Sequence, residues 1–169
     1  MKKIFGHRGI TILELLSTVV IIGIVAAMAV PQFDKSIKRI QFRGKAKDVV
    51  SYLRLARSMA ISEKNPYGLY FDSDAKTVSI FRDIANLTAE TYDAGGDSVI
   101  QVDTLPVNFT YLATTFANSS IVFRPNGSAS GSGNIDIQSQ CDADNVYNSG
   151  QISVLAATGK SRLEYINNY

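Results

Sequence analysis

Tryptophan is missing from this 169-residue chain, cysteine and histidine occur once each, and proline only four times. A single cysteine, Cys141, rules out any intramolecular disulfide. Its plainest reading is a small buried hydrophobe; a redox or cross-linking thiol is the alternative. The one histidine, His7, stands within the first nine residues. Beyond that point the chain has no imidazole, so a zinc site and Ser-His or Cys-His catalysis lack their parts. Gly159-Lys160-Ser161 ends like a phosphate-binding loop, but the glycine required five residues earlier is Val154. Carboxylates are scattered. Asp142 and Asp144 read as a solvated loop, while paired-carboxylate or calcium sites stay open. No enzyme activity, cofactor or metal is expected.

The net charge of +2 conceals a division along the chain. Residues 32–62 carry eight basic side chains against Asp34 and Asp48, a balance of +6. Residues 63–169 carry six basic against twelve acidic, a balance of −6. A basic stretch is thus joined to an acidic body, which is not the profile of a nucleic-acid-binding domain.

Long apolar runs are equally scarce: there is one, GITILELLSTVVIIGIVAAMAVP, from Gly9 to Pro31. Ile10 to Val30 contains a single charge, Glu14. As a helix this segment would be about 31 Å long, near the hydrocarbon thickness of a bilayer. A carboxylate in such a segment costs on the order of 2–3 kcal/mol, which argues for a purpose. The preceding MKKIFGHRG is short and basic, and its glycine stands before the apolar run. An ordinary signal peptide puts its small residues after that run. Lys2, Lys3 and Arg8 keep the N-terminus cytoplasmic, so the C-terminal bulk is expected on the outer side.

These residues resemble the class III leader of type IV pilins and type II secretion pseudopilins. The match comprises Lys2, Lys3, Arg8, Gly9 and then Ile10-Thr11-Ile12-Leu13-Glu14, with Ile10 where the family more often has Phe. The resemblance implies a peptidase cut after Gly9, N-methylation of Ile10, and an assembly role for Glu14, fifth after the cut. That role is neutralising the Ile10 ammonium of an adjacent subunit. Pro31 falls where many pilins carry a helix-breaking proline. Many major pilins also close a C-terminal loop with a disulfide, which this chain cannot do. The implied organisation is a leader (1–9), a transmembrane half-helix (10–30), an amphipathic half-helix (31–62) and a β-rich domain (63–169).

From Gln32 to about Ser62 the pattern is an amphipathic helix. Phe33, Ile37, Ile40, Ala46, Val49, Val50, Leu53, Ala56 and Ala60 recur at three- and four-residue steps. Lys35, Lys38 and Arg39 are placed to meet anionic head groups or simply water. Pro31 should kink or loosen the helix, Gly44 weakens it, and Asn65-Pro66 ends it. Strands are expected at Tyr67–Phe71, Thr77–Arg82, Val99–Val102, Val107–Leu112, Ile121–Arg124, Asn134–Gln138, Gln151–Ala156 and Arg162–Ile166. Ile84–Asp97 reads as a polar loop. A sheet of antiparallel strands laid on the amphipathic helix would cover both apolar faces, an α+β fold. Asn-x-Ser/Thr sequons at Asn86, Asn108 and Asn118 carry little weight.

A second resemblance spans 121–162. Ile121-Val122-Phe123-Arg124-Pro125-Asn126-Gly127, the Ser/Gly loop to Gly133, two strands and Gly159-Lys160-Ser161-Arg162 are similar to the FimT/GspH family of minor pilins and pseudopilins. That family typically shows F-x-P-x-G and a closing G-R-x-R, and here lysine replaces the first arginine. Gly127, Gly131 and Gly133 are expected to supply positive-φ turns. The resemblance implies a structural subunit that primes or caps a type IV pilus or type II secretion pseudopilus. Implied partners are the prepilin peptidase/methyltransferase, other pilins or pseudopilins, and the inner-membrane assembly platform. The alternative is a filament-borne DNA receptor for uptake, with Lys160 and Arg162 making weak phosphate contacts. A plain membrane-anchored periplasmic domain is the third class, against which the leader argues.

Overall fold

The computed structural model describes residues 10–85, 87–140 and 147–167. The leader with Gly9, Asn86, Cys141 and the Asp142/Asp144 pair fall outside them. Two compact units divide the chain, residues 1–37 and 38–169. The first contains the apolar part of helix α1 (Ile12–Glu63, 52 residues). Thr11 caps the start of this helix, its hydroxyl accepting the Glu14 amide at 3.2 Å. Side chains from Ile12 to Val25 are exposed throughout, a surface that is apolar apart from Glu14, Ser17 and Thr18. The helix continues through Pro31 without ending. One missing N–H removes one bond from a ladder that the neighbouring turns carry across.

In the second unit, α1 turns a narrow stripe inward: Phe42, Ala46, Val49, Leu53, Ala56 and Ala60. The steps of four, three, four, three and four keep these residues on one face. Three expected members of the stripe, Phe33, Ile37 and Ile40, are instead exposed. Burial begins at Phe42, whose ring stacks on Phe109 at 5.6 Å and meets Tyr165 edge-on at 6.4 Å. The helix ends at Glu63, with Lys64 in the left-handed region (φ 56°) and Asn65 donating to the Glu63 carbonyl.

The strands follow as β1 (Tyr67–Asp72), β2 (Thr77–Arg82), β3 (Ser98–Thr104), β4 (Phe109–Thr114), β5 (Ser120–Phe123), β6 (Gly133–Gln140), β7 (Tyr147–Leu155) and β8 (Lys160–Asn167). All eight expected strands are present, but they form two sheets rather than one. The first has order β3-β2-β1-β5 and the second β4-β6-β7-β8, with antiparallel pairing throughout. Alternation explains the division of faces. Tyr67, Leu69 and Phe71 of β1, Ile135 and Ile137 of β6, and Ile152 and Val154 of β7 enter a single core with the helix stripe. Dividing the strands between two sheets lets both inner faces reach one narrow helix.

The loop Ile84–Asp97 covers the outer side of the first sheet. Tyr92 stacks on Tyr70 at 4.5 Å and leans on Phe81 at 5.0 Å. Asp97 ties the loop's ends together, accepting the amides of Ile84, Ala85 and Asp93.

Candidate functional site

Near the N-terminus, Ile10 and Glu14 are both exposed. Thr11 and Glu14 have the spacing of a capping box, yet only half of it forms. The Glu14 amide is bound, and no partner for its carboxylate exists among the described residues. An exposed carboxylate thus stands at the start of an apolar helix, where the positive end of the helix dipole favours it. Within the described residues, α1 is the one helix long and apolar enough to cross a membrane.

At the far end of the domain, the two glycine-bearing segments close on one another. Phe123 is buried in the core. Arg124 clamps the loop over the first sheet by a two-point pair with Glu90 (2.5 and 2.6 Å) and also donates to the Ala129 carbonyl at 3.2 Å. Hydrogen bonding to Glu90 raises the Arg124 pKa further above its usual value. The Asn126 side chain accepts from the Ser128 amide and hydroxyl, and Gly127 takes φ +83°. Gly159 also has positive φ (+60°), and a β-carbon there would lie 2.4 Å from the Gly127 carbonyl oxygen. That oxygen accepts from Arg57 Nε at 2.9 Å. Helix and both motifs thus meet at one point, with Arg57 as the staple.

Gly131 and Gly133 differ from expectation, since neither has a positive φ. Gly133 is small for a different reason: a β-carbon would lie 2.6 Å from the Phe116 ring. Nothing crowds Gly131.

Lys160 and Arg162 open strand β8, which begins two residues earlier than the expected Arg162 and follows the turn at 156–159. Both are exposed, and no described carboxylate pairs with either. Buried Ser161 between them sets them on the same side of the strand. Gly159-Lys160-Ser161 leads into a strand rather than a helix, unlike a phosphate-binding loop. Two adjoining clefts of about 420 and 570 Å³ bring in residues that the sequence did not single out. Lys47, Arg54 and Arg57 of α1 face Lys160 and Arg162 across them. Only the basic balance of 32–62 hinted at this cluster.

A polar tie fastens α1 to β3. Lys45 Nζ donates to both oxygens of Asp103 (3.1 and 3.0 Å), and the Tyr52 hydroxyl donates to Oδ2 at 3.1 Å. The hydrogen bond to Asp103 raises the Lys45 pKa, and burial beside that carboxylate raises Tyr52. Tyr67 is raised by its hydrogen bond to Glu63. Among the described residues no three His, Cys, Asp or Glu side chains converge as metal ligands.

Comparison with known proteins agrees with this architecture. The family model for the type II transport protein GspH matches residues 45–158, ending just short of Gly159. A fimbrial protein of Pseudomonas aeruginosa is 34% identical over 115 residues, covering 68% of this chain and 71% of that protein. The minor pseudopilin EpsH from the type 2 secretion system of Vibrio cholerae superposes with a TM-score of 0.56 at 14% identity, covering 73% of this chain and 95% of that one. The type IV minor pilin FimU of Pseudomonas aeruginosa gives 0.54 at 17% identity, covering 75% and 90%. The chain belongs to the GspH family and is a type IV pilin-like minor pilin or pseudopilin, a structural subunit that assembles with other pilins in a filament.

Proposed function

We propose that this subunit primes or caps a type IV pilus or type II secretion pseudopilus, entering the filament from the inner membrane with its β-rich domain in the periplasm. The observation that carries the reading is the apolar, exposed start of α1, with a Glu14 carboxylate in its first turn that has no partner among the described residues. A prepilin peptidase/methyltransferase cuts after Gly9 and methylates Ile10. The new α-ammonium then lies close to where the carboxylate of an adjacent subunit must settle. In an apolar bundle neither charge is well solvated, so their pairing fixes axial register. Residues 10–30 hold the subunit in the bilayer until the assembly platform lifts it out, and Pro31 marks the outer end of that segment.

The test is made in the native host. Intact mass should correspond to a chain lacking residues 1–9 with one added methyl group. Glu14→Ala should insert and be cleaved normally yet disappear from the sheared filament fraction, taking piliation or secretion with it. Normal assembly by that variant, or a chain that keeps its leader, would overturn the proposal.

A further inference from the structure

A basic groove runs between α1 and β8. Lys47 and Arg54 of the helix face Lys160 and Arg162 of the strand, and none of the four pairs with a described carboxylate. Arg57 extends the row, with its Nε committed to the Gly127 carbonyl. The lining is not only charged. Val50, Ile61 and Leu163 supply apolar surface between the cations. β8 is also the last strand of its sheet. Alternate backbone N–H and C=O groups along it therefore point away from β7 and lack a sheet partner.

Dimensions narrow the occupant. From Lys47 to Ile61 the helix wall runs about 21 Å at 1.5 Å per residue. An extended segment of six residues spans about 20 Å. Such a segment meets every feature of the groove: main-chain groups for the strand edge, one row of side chains for the apolar surface, and acidic side chains for the cations. Nucleic acid fits less well. No aromatic side chain lines either cleft to stack on bases. The balance of −6 over residues 63–169 also repels a long polyanion. A segment of six residues carries too few charges to meet that repulsion, and its acidic side chains complement the four groove cations that no described carboxylate pairs with.

We propose that the α1–β8 groove docks an extended acidic polypeptide segment of a neighbouring filament subunit, added along the free edge of β8. The proposal rests on the chain being a filament subunit, but its test is independent of assembly. The mature full-length chain in detergent micelles is titrated with a synthetic octapeptide alternating valine with aspartate or glutamate. Binding should weaken as salt rises and fall by about tenfold or more, some 1.4 kcal/mol, in Lys160→Ser/Arg162→Ser and in Arg54→Ser. The asparagine/glutamine version of the peptide should not bind. A version N-methylated at alternate amides should bind weakly, which charge attraction alone would not produce. Unchanged binding by the groove variants, or equal binding of the amide peptide, overturns the proposal. So does tighter binding of DNA of equal charge, or a chain that fills the groove by self-association. The Glu14→Ala chain should bind the peptide like wild type, so failure of docking and failure of filament entry are separate results.

Discussion

Gly159, Gly133 and Gly131 form a graded test of how the closing motifs are built. At Gly159 an alanine meets two obstacles together. The backbone sits at φ +60°, where an L side chain costs roughly 1–2 kcal/mol. The new β-carbon also falls 2.4 Å from the Gly127 carbonyl oxygen and 3.0 Å from Arg57 Nε, and relieving such overlap typically costs about 1–3 kcal/mol. The sum is roughly 2–5 kcal/mol, a fall in Tm of roughly 5–20 °C for a chain of this size. Gly133→Ala has only the overlap, 2.6 Å from Phe116 and 2.7 Å from Thr115 Oγ1, so about 1–3 kcal/mol is expected. Gly131→Ala meets nothing within 4 Å and has no positive φ. By restricting the unfolded chain it should be neutral or stabilise by up to about 1 kcal/mol. Denaturation of the mature chain in detergent, followed by tyrosine emission since tryptophan is absent, reads all three. Equal losses at the three positions, or greatest damage at Gly131, would refute the reasoning.

Three further outcomes are expected. Phe42→Ala should cost about 3–5 kcal/mol by removing a ring 1% exposed against Phe109, whereas exposed Ile40→Ala should stay within about 0.5 kcal/mol, both measured by denaturant titration. Lys45, Tyr52 and Tyr67 all have folded pKa values above their ordinary ones of 10.5, 10.0 and 10.0. Each holds its proton more tightly when folded, so its contribution is complete below about pH 10 and lost as pH rises through the folded value. Tm measured upward from about pH 8 should fall beyond about pH 10, and Tyr52→Phe with Tyr67→Phe should flatten that fall. Arg124→Lys should lose the two-point hold on Glu90, costing about 1 kcal/mol because the pair is partly solvated, and should speed amide exchange in Ile84–Asp97 with little change in the second sheet.

Local pattern was enough to establish the elements. The apolar run, the helical steps of α1 and the alternation of β6 all rest on contacts close in sequence, and side-chain period alone assigns them. So was the family, because leader spacing and the Phe123–Gly127 segment are contiguous. Tertiary structure decided the rest. β5 leaves its sequence neighbour β4 to pair with β1, and β4 joins β6, since only a shared core can rank distant strand partners. The stripe began at Phe42 rather than Phe33. Four steps back from Ala46 lead to Phe42, but exposure further along depends on where the sheets stop covering the helix. Arg57 could not be distinguished from other helix cations until the fold brought it against Gly127 and Gly159. The groove arises in the same way: helix and final strand lie at opposite ends of the domain's sequence, and only folding sets their cations face to face.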